Sequence, residues 1–151
     1  MENKCYDYDS ASQLLALCEE EEASIAHIML LREAHIQDAN TETLIRKMRD
    51  YYRTMRASVD KGLGIEQASP SGLSGGDAKR LLEYARSDNP LLGERFAKTM
   101  AYGFAVLETN AQFGRIIATP TAGSAGIVPA CLMSLEESDG VDEKRLAEAL
   151  F

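Results

Sequence analysis

The sequence predicts an all-α protein of five to seven helices, with two glycine-rich ligand-binding loops and little or no sheet. Three observations carry that expectation. Apolar residues recur every three to four positions through most of the chain, as one face of a helix requires. Serine or threonine stands just ahead of the periodic stretches, where helix N-caps belong. Only one short run, residues 115–119, reads as extended. At 151 residues and 16.6 kDa the chain is about one domain long and able to bury a core. Its 45% hydrophobic and 26% charged residues exclude a collagen, a disordered tail and a disulfide-dense miniprotein.

The first 63 residues read as three helices. Ser10 caps a segment with apolar positions Leu14, Leu15, Leu17 and Cys18, which ends in the acidic run 19–22, a solvated helix end. A second helix starts near Ser24, with Ile25, Ile28, Met29 and Ile36 on its periodic face. Thr41 precedes the clearest stripe, Leu44, Met48, Tyr51, Tyr52, Met55 and Val59, which belongs to a core, and Gly62 and Gly64 close that helix. Residues 69–76 then form a small, flexible loop. Helix returns over 77–86 until Asn89-Pro90 breaks it. Residues 91–108 are apolar nearly all round their second half, which predicts a buried helix. After the extended run comes a second glycine-rich loop. A helix over 127–135 follows, with Pro129 tolerable only in the opening turn. Residues 142–151 open a well-formed amphipathic helix, with acids in its first turn. It stops on Ala-Leu-Phe without a cap, which reads as part of something longer. Such a piece is expected to expose an apolar face and to oligomerise.

Charge narrows the partners. Sixteen basic residues against 24 acidic ones give a net charge of -8. A nucleic-acid binder needs cations to displace counterions from phosphates. The one basic stretch (Arg46, Lys47, Arg49, Arg53, Arg56 and Lys61) is diluted by Glu42, Asp50 and Asp60 and reads as a solvated helix face. No apolar run reaches the roughly 18 residues that cross a bilayer, and Asp7 and Asp9 interrupt any signal segment. The expectation is a cytoplasmic protein that binds neither nucleic acid nor membrane. Cys5, Cys18 and Cys131 show no paired spacing and point to free thiols. His27 and His35 are eight apart, not at the i,i+4 spacing of a helical metal pair.

Two segments can carry chemistry. Ser71-Gly72-Leu73-Ser74-Gly75-Gly76-Asp77 contains LSGG, which resembles the signature of ABC-type ATPases. That reading fails because no GxxxxGK[ST] loop is present to hold a nucleotide. What remains is a loop of N–H groups feeding a helix near Asp77, able to bind an anion, or else a simple cap by Asp77 or Ser74. Residues 119–126, containing Thr119, Thr121, Ala122, Gly123 and Ser124, place two glycines and several hydroxyls before a helix. Such a nest suits a carboxylate better than a triphosphate, because no lysine is placed beside it; the alternative is a plain turn. Asn110, between the buried helix and this nest, is either a ligand contact or a cap.

SGLSGGDAKRL at 71–81 and NAQFGRIIATPTAGSAGIVPA at 110–130, with the helical lead-in, resemble the alpha chain of bacterial iron–sulfur-dependent L-serine dehydratase, from about Ser10 to Phe151. The resemblance implies that 1–151 is the N-terminal part of that chain's domain, with 10–63 as lead-in and 69–151 as the start of the catalytic region. It implies conversion of L-serine to pyruvate and ammonia, in amino-acid catabolism and gluconeogenesis, without pyridoxal phosphate. A [4Fe–4S] cluster with three cysteine ligands and one open iron would act as Lewis acid. Those ligands lie beyond Phe151 in the family, so Cys5, Cys18 and Cys131 are assigned no iron. A Ser-His-Thr segment belongs to a beta chain or beta domain. Substrate binding falls to Ser71, Gly72, Ser74, Gly75, Gly76, Asp77, Asn110, Thr119, Thr121, Ala122, Gly123 and Ser124, while no catalytic residue is assigned. This piece alone is expected to be inactive. Other readings are a related lyase acting on another small amino acid such as cysteine, a helical interaction module, and a pyridoxal enzyme using Lys79 or Lys98. The interaction module predicts that Ser124→Ala and Asp77→Ala leave the complete enzyme's activity near normal, whereas the lyase reading predicts large losses in turnover with folding intact.

Overall fold

A computed structural model describes residues 6–151, so Cys5 lies outside it. Among the described residues there are seven helices and no strand: α1 (Ala11–Glu20), α2 (Ile25–Ile36), α3 (Thr41–Leu63), α4 (Asp77–Ala85), α5 (Glu94–Ala111), α6 (Ser124–Asp139) and α7 (Glu143–Glu148). They fall into two compact units: the chain up to Asp50 together with Glu143–Phe151, and Tyr51–Asp142. The long helix α3 contributes to both.

The first unit begins with the two expected caps. Ser10 Oγ accepts from the Gln13 N–H at 3.3 Å and Ser24 Oγ from the His27 N–H at 3.2 Å, each satisfying one orphan donor of a first turn. Ile28 and Leu30 of α2, Leu44 of α3, and Leu146 and Ala147 of α7 are buried. The expected α2 face is therefore only partly right. Ile25 and Ile36 stay exposed at the two ends of the helix, while Leu30 turns inward. Arg49 Nε donates to Glu143 Oε1 at 2.8 Å and ties α3 to α7. His27 and His35 are both exposed on α2.

The second unit is built around α5. Val59 of α3, Ala78 of α4, Tyr102, Ala105 and Val106 of α5, and Ala130 and Met133 of α6 form one buried cluster. Tyr52 Oη donates to Glu136 at 2.7 Å and fastens α3 to α6. Gly62 lies inside the last turn of α3 and does not cap it. A Cβ there would sit 1.9 Å from the carbonyl oxygen of Ala105, so the residue is what lets α3 and α5 touch.

Several boundaries differ from expectation, each for a local reason. α5 starts at Glu94 and not at 91, because the Gly93 N–H bonds the Pro90 carbonyl at 2.9 Å and Gly93 itself takes φ 79°, making a separate turn first. It runs on to Ala111, so Asn110 is a residue of its last turn and not its cap. Residues 115–119 pair with no strand among the described residues. α6 starts at Ser124, which leaves Pro129 inside the helix. A proline there has no N–H for the carbonyl one turn back. α5 is not buried all round either: Ala97, Ala101, Ala105 and Val106 face the core, while Phe96, Met100, Phe104 and Leu107 are open.

Candidate functional site

The first glycine-rich loop closes on itself. Ser69 N–H donates to the Ser74 carbonyl at 2.7 Å, Gly72 N–H to the Ser69 carbonyl at 2.8 Å, and the Ser69 and Ser71 hydroxyls share a bond of 3.1 Å. Gly75 follows at φ 143°, where a Cβ would lie 2.3 Å from the Gln67 carbonyl, so only glycine fits. Gly76 then opens α4 without any side-chain cap. Asp77 turns its carboxylate to Arg80.

The cap for α4 comes from α5. Glu108 is 2% exposed, and its Oε1 accepts from the Asp77 N–H at 2.6 Å and the Ala78 N–H at 3.3 Å. A helix N-terminus carries positive partial charge and attracts an anion. Here that anion is a side chain of the same chain. The other oxygen, Oε2, is buried without a hydrogen-bond partner.

The second loop is capped by its own hydroxyls. Ser124 N–H donates to Thr121 Oγ1 at 3.2 Å while Thr121 N–H donates to Ser124 Oγ at 3.1 Å. This reciprocal pair is a capping box in which serine replaces the usual Glu or Gln. Thr121 lies two residues ahead of Gly123, the N-cap position of α6, so the pair closes the loop that leads into the helix. Thr119 Oγ1 lies 2.6 Å from Ser124 Oγ and completes a hydroxyl trio. Ala122 and Gly123 stand between them, directly ahead of α6; both are exposed, and their N–H groups have no partner among the described residues.

Both helix N-termini sit beside the last turns of α5. Glu108 reaches α4, and the Leu107 side chain lies 3.7 Å from where a Cβ of Gly126 would be. Gln112 Nε2 donates to the carbonyls of Gln67 and Ala68 at 3.3 and 3.2 Å, which moors the first loop to the same end. Asn110 is exposed there, and Phe113, 87% exposed at φ 56°, turns the chain after it. The predicted residues thus fall at two helix N-termini and one helix end.

Two features of this region were not read from the sequence. Glu108 is one, since no local pattern pairs it with residues 77 and 78. The other is a cleft of about 370 Å³ between α3 and the segment after α5, lined by Arg53, Lys61 and Arg115 with Thr54 and Ser58. Lys61 and Arg115 have no ion-pair partner among the described residues. The stretch expected as a solvated face therefore contributes two cations, at helical spacing, to one cleft. Arg115, directly after Gly114, was the available signal.

Across the α5–α6 contact, Lys98 Nζ and Tyr102 Oη both reach Glu137 Oε2 at 2.6 Å. Burial would push the Glu137 carboxyl up, but these two hydrogen bonds outweigh it and hold the group below its ordinary value. Burial first, and then the bond to Glu137, push Tyr102 up to about 12. The hydrogen bond to Glu137 raises Lys98, and that to Glu66 raises Lys79. A lysine that forms a Schiff base needs the opposite shift.

The described residues do not fit an iron–sulfur cluster. Cys18 and Cys131 are free thiols on α1 and α6, in different units. Among the described residues no group of three or more His, Cys, Asp or Glu side chains is placed to hold a metal ion. No helix is long and apolar enough to cross a membrane among the residues searched.

Known proteins resemble this chain over most of its length. A sequence profile described as serine dehydratase alpha chain matches residues 20–151. The chain is 33% identical over 145 residues to a probable L-serine dehydratase alpha chain of Bacillus subtilis, covering 95% of this chain and 48% of that one. It is 34% identical over 134 residues to the L-serine dehydratase alpha chain of Peptoniphilus asaccharolyticus, covering 89% and 46%. To an L-serine dehydratase of Streptomyces coelicolor it is 35% identical, covering 84% and 28%. The chain spans about half the length of the alpha chains it matches, or less.

Proposed function

We propose, from the premise that this chain belongs to the serine dehydratase alpha chain family, that it forms part of an enzyme converting L-serine to pyruvate and ammonia. Its share of the work is to hold the amino-acid end of the substrate. The observation that carries this reading is the turn that leads into α6. Ala122 and Gly123 are exposed, and their N–H groups have no partner among the described residues; they stand at the positive end of a 16-residue helix, beside the hydroxyls of Thr119, Thr121 and Ser124.

A carboxylate is the ligand such a turn suits. It would accept from both N–H groups, and the hydroxyls can rotate toward it, because each is both donor and acceptor. The cations of Lys61 and Arg115, also at the C-terminal end of α5, add a positive field that favours an anionic group there. Dehydration removes the Cα proton and the Cβ hydroxyl of serine; the enamine formed tautomerises and hydrolyses to pyruvate and ammonia. Anchoring the carboxylate fixes Cα and Cβ for groups that we place outside this chain. A cluster supplies a Lewis acid for the departing hydroxyl where one is bound, and its ligands belong to those outside parts. A beta chain or beta domain completes the site.

The test is serine turnover by the assembled enzyme carrying Ser124→Ala. Turnover is expected to fall more than tenfold with helicity unchanged by circular dichroism. Activity within twofold of the parent would reject the α6 turn as the anchor. Serine and cysteine turnover, measured side by side, settles which small amino acid the same anchor serves.

A further inference from the structure

We propose that the apolar groove along α5 and α6 is the seat of a helix from the second half of a serine dehydratase alpha chain. Phe96, Met100, Phe104 and Leu107 recur at helical spacing along α5 and are 53, 39, 41 and 50% exposed. Ile127 of α6, 63% exposed, faces them across a floor made by Gly103 and Gly126. The groove encloses about 330 Å³ and is lined almost wholly by apolar groups.

Its shape and chemistry fit a helix and not a small molecule. From Phe96 to Leu107 the stripe runs three turns, about 16 Å at 1.5 Å per residue. It is an open trough that reaches Gly123 at one end, and only Thr99 brings it a hydroxyl, whereas a small ligand is oriented by several convergent polar groups. The charges flanking it are already paired within the unit, Arg95 with Asp139 and Lys98 with Glu137. The occupant therefore needs an apolar face and no countercharge, as in packing of a helix into a hydrophobic groove.

Two observations select the source of that helix. From residue 100 to 107 α5 is apolar all round, the pattern of a helix covered on every side, yet only the face toward α3, α4 and α6 is covered here. The alpha chains it resembles carry about as much polypeptide again, since this chain spans 48% and 46% of two of them. A central helix of one longer helical domain is normally covered by that domain's own chain. The proposal rests on family membership and not on serine being the substrate.

Cys131 provides the test, because it is exposed, lines the groove and is a free thiol, while Cys18 lies in the other unit. This chain, tagged, is co-expressed with the unmatched second half of the Bacillus subtilis alpha chain as a separate polypeptide, and the purified product is labelled with a thiol reagent. The expected result is a one-to-one complex in which Cys131 labels at least tenfold more slowly and Cys18 at its original rate. Leu107→Asp with Ile127→Asp, both at exposed positions, should abolish co-purification while leaving the helical signal intact. Failure to co-purify, or a complex in which Cys131 labels as fast as before, overturns the proposal. So does protection of Cys131 in this chain alone that grows with its concentration and accompanies a doubled mass in light scattering, since a second copy would then be the occupant.

Discussion

Replacing Glu108 should cost more than its place on a surface-facing diagram of α5 would suggest. Its Oε1 holds the N–H groups of Asp77 and Ala78, and Ala78 is 0% exposed. In Glu108→Ala the Ala78 donor is left buried without a partner, and the charge–dipole attraction at the start of α4 disappears. A hydrogen bond to a charged group is worth about 1.5–3 kcal/mol, and an orphaned buried donor costs a similar amount that overlaps with it, so the loss should be about 3 kcal/mol. For a chain of this size about 1 kcal/mol moves the melting temperature by roughly 2–4 °C, so the shift should be about 6–12 °C. Glu108→Gln separates the causes. Its amide oxygen keeps both acceptor contacts, and its Nε2 replaces an oxygen that already lacks a partner. That variant should lose about 1 kcal/mol for the dipole part and about 1 kcal/mol more for the unpartnered amide donors, still less than the alanine variant. Thermal melts by circular dichroism measure both, and amide exchange at residues 77 and 78 localises the effect. A melting point for Glu108→Ala within about 1 °C of the parent would refute the reasoning, and so would a glutamine variant as damaged as the alanine one.

The α5–α6 junction should make stability depend on pH at both ends. Tyr102 is pushed up to about 12 in the folded protein against about 10 unfolded, so its contribution is complete below about pH 10. It is lost as pH rises through the folded value, by about 2 kcal/mol. Lys98, also raised, shares that alkaline limb. Glu137 is lowered, so its contribution is present above the unfolded value of about 4.3 and is lost as pH falls through the folded one. Urea midpoints across pH should show both limbs, and Tyr102→Phe should flatten the alkaline one. Gly62→Ala should destabilise by about 3 kcal/mol, because overpacking of this severity pushes two helices apart. Gly126→Ala, whose Cβ would meet the Gly103 oxygen at 3.1 Å rather than the 1.9 Å at Gly62, should cost less. An equal or reversed order of melting points would contradict the packing argument.

What could be read from the sequence divides along the range of the interactions. Ser10 and Ser24 were legible as caps because a cap is decided within three residues. The α3 stripe was legible because Leu44, Tyr52, Met55 and Val59 repeat with the helix and all are buried. Glu108 was not legible, since its partners lie about thirty residues away and a glutamate in an apolar helix looks like a solvated break in the pattern. The buried helix at 91–108 misled for a related reason. Periodicity says that a helix is apolar all round, but it does not say which polypeptide covers each side. Pro129 also misled, because α6 starts at Ser124, where the Thr121–Ser124 hydroxyl pair closes the preceding loop, and not at the proline.

The two glycine-rich loops looked equivalent as anion sites in the sequence, and the structure makes them unlike. At α4 the first-turn donors of Asp77 and Ala78 already bond a buried carboxylate, and a second anion there would face Glu108 at close range. At α6 the reciprocal hydroxyls close one side of the turn and leave the N–H groups of Ala122 and Gly123 without a partner among the described residues. The same sequence device thus builds a sealed joint in one place and an open one in the other. Asp77→Ala should therefore change little in the assembled enzyme beyond losing the exposed pair with Arg80, a contact of the kind worth under about 1 kcal/mol. Ser124→Ala removes the hydroxyl that both caps the turn and borders the open donors. It should raise the KM for serine as well as lower stability by about 1 kcal/mol. Thr121→Ser, which keeps the capping oxygen, should leave both near the parent. If Asp77→Ala proved the more damaging of the two to serine binding, the assignment of the substrate's carboxylate to the α6 turn would have to move to the first loop.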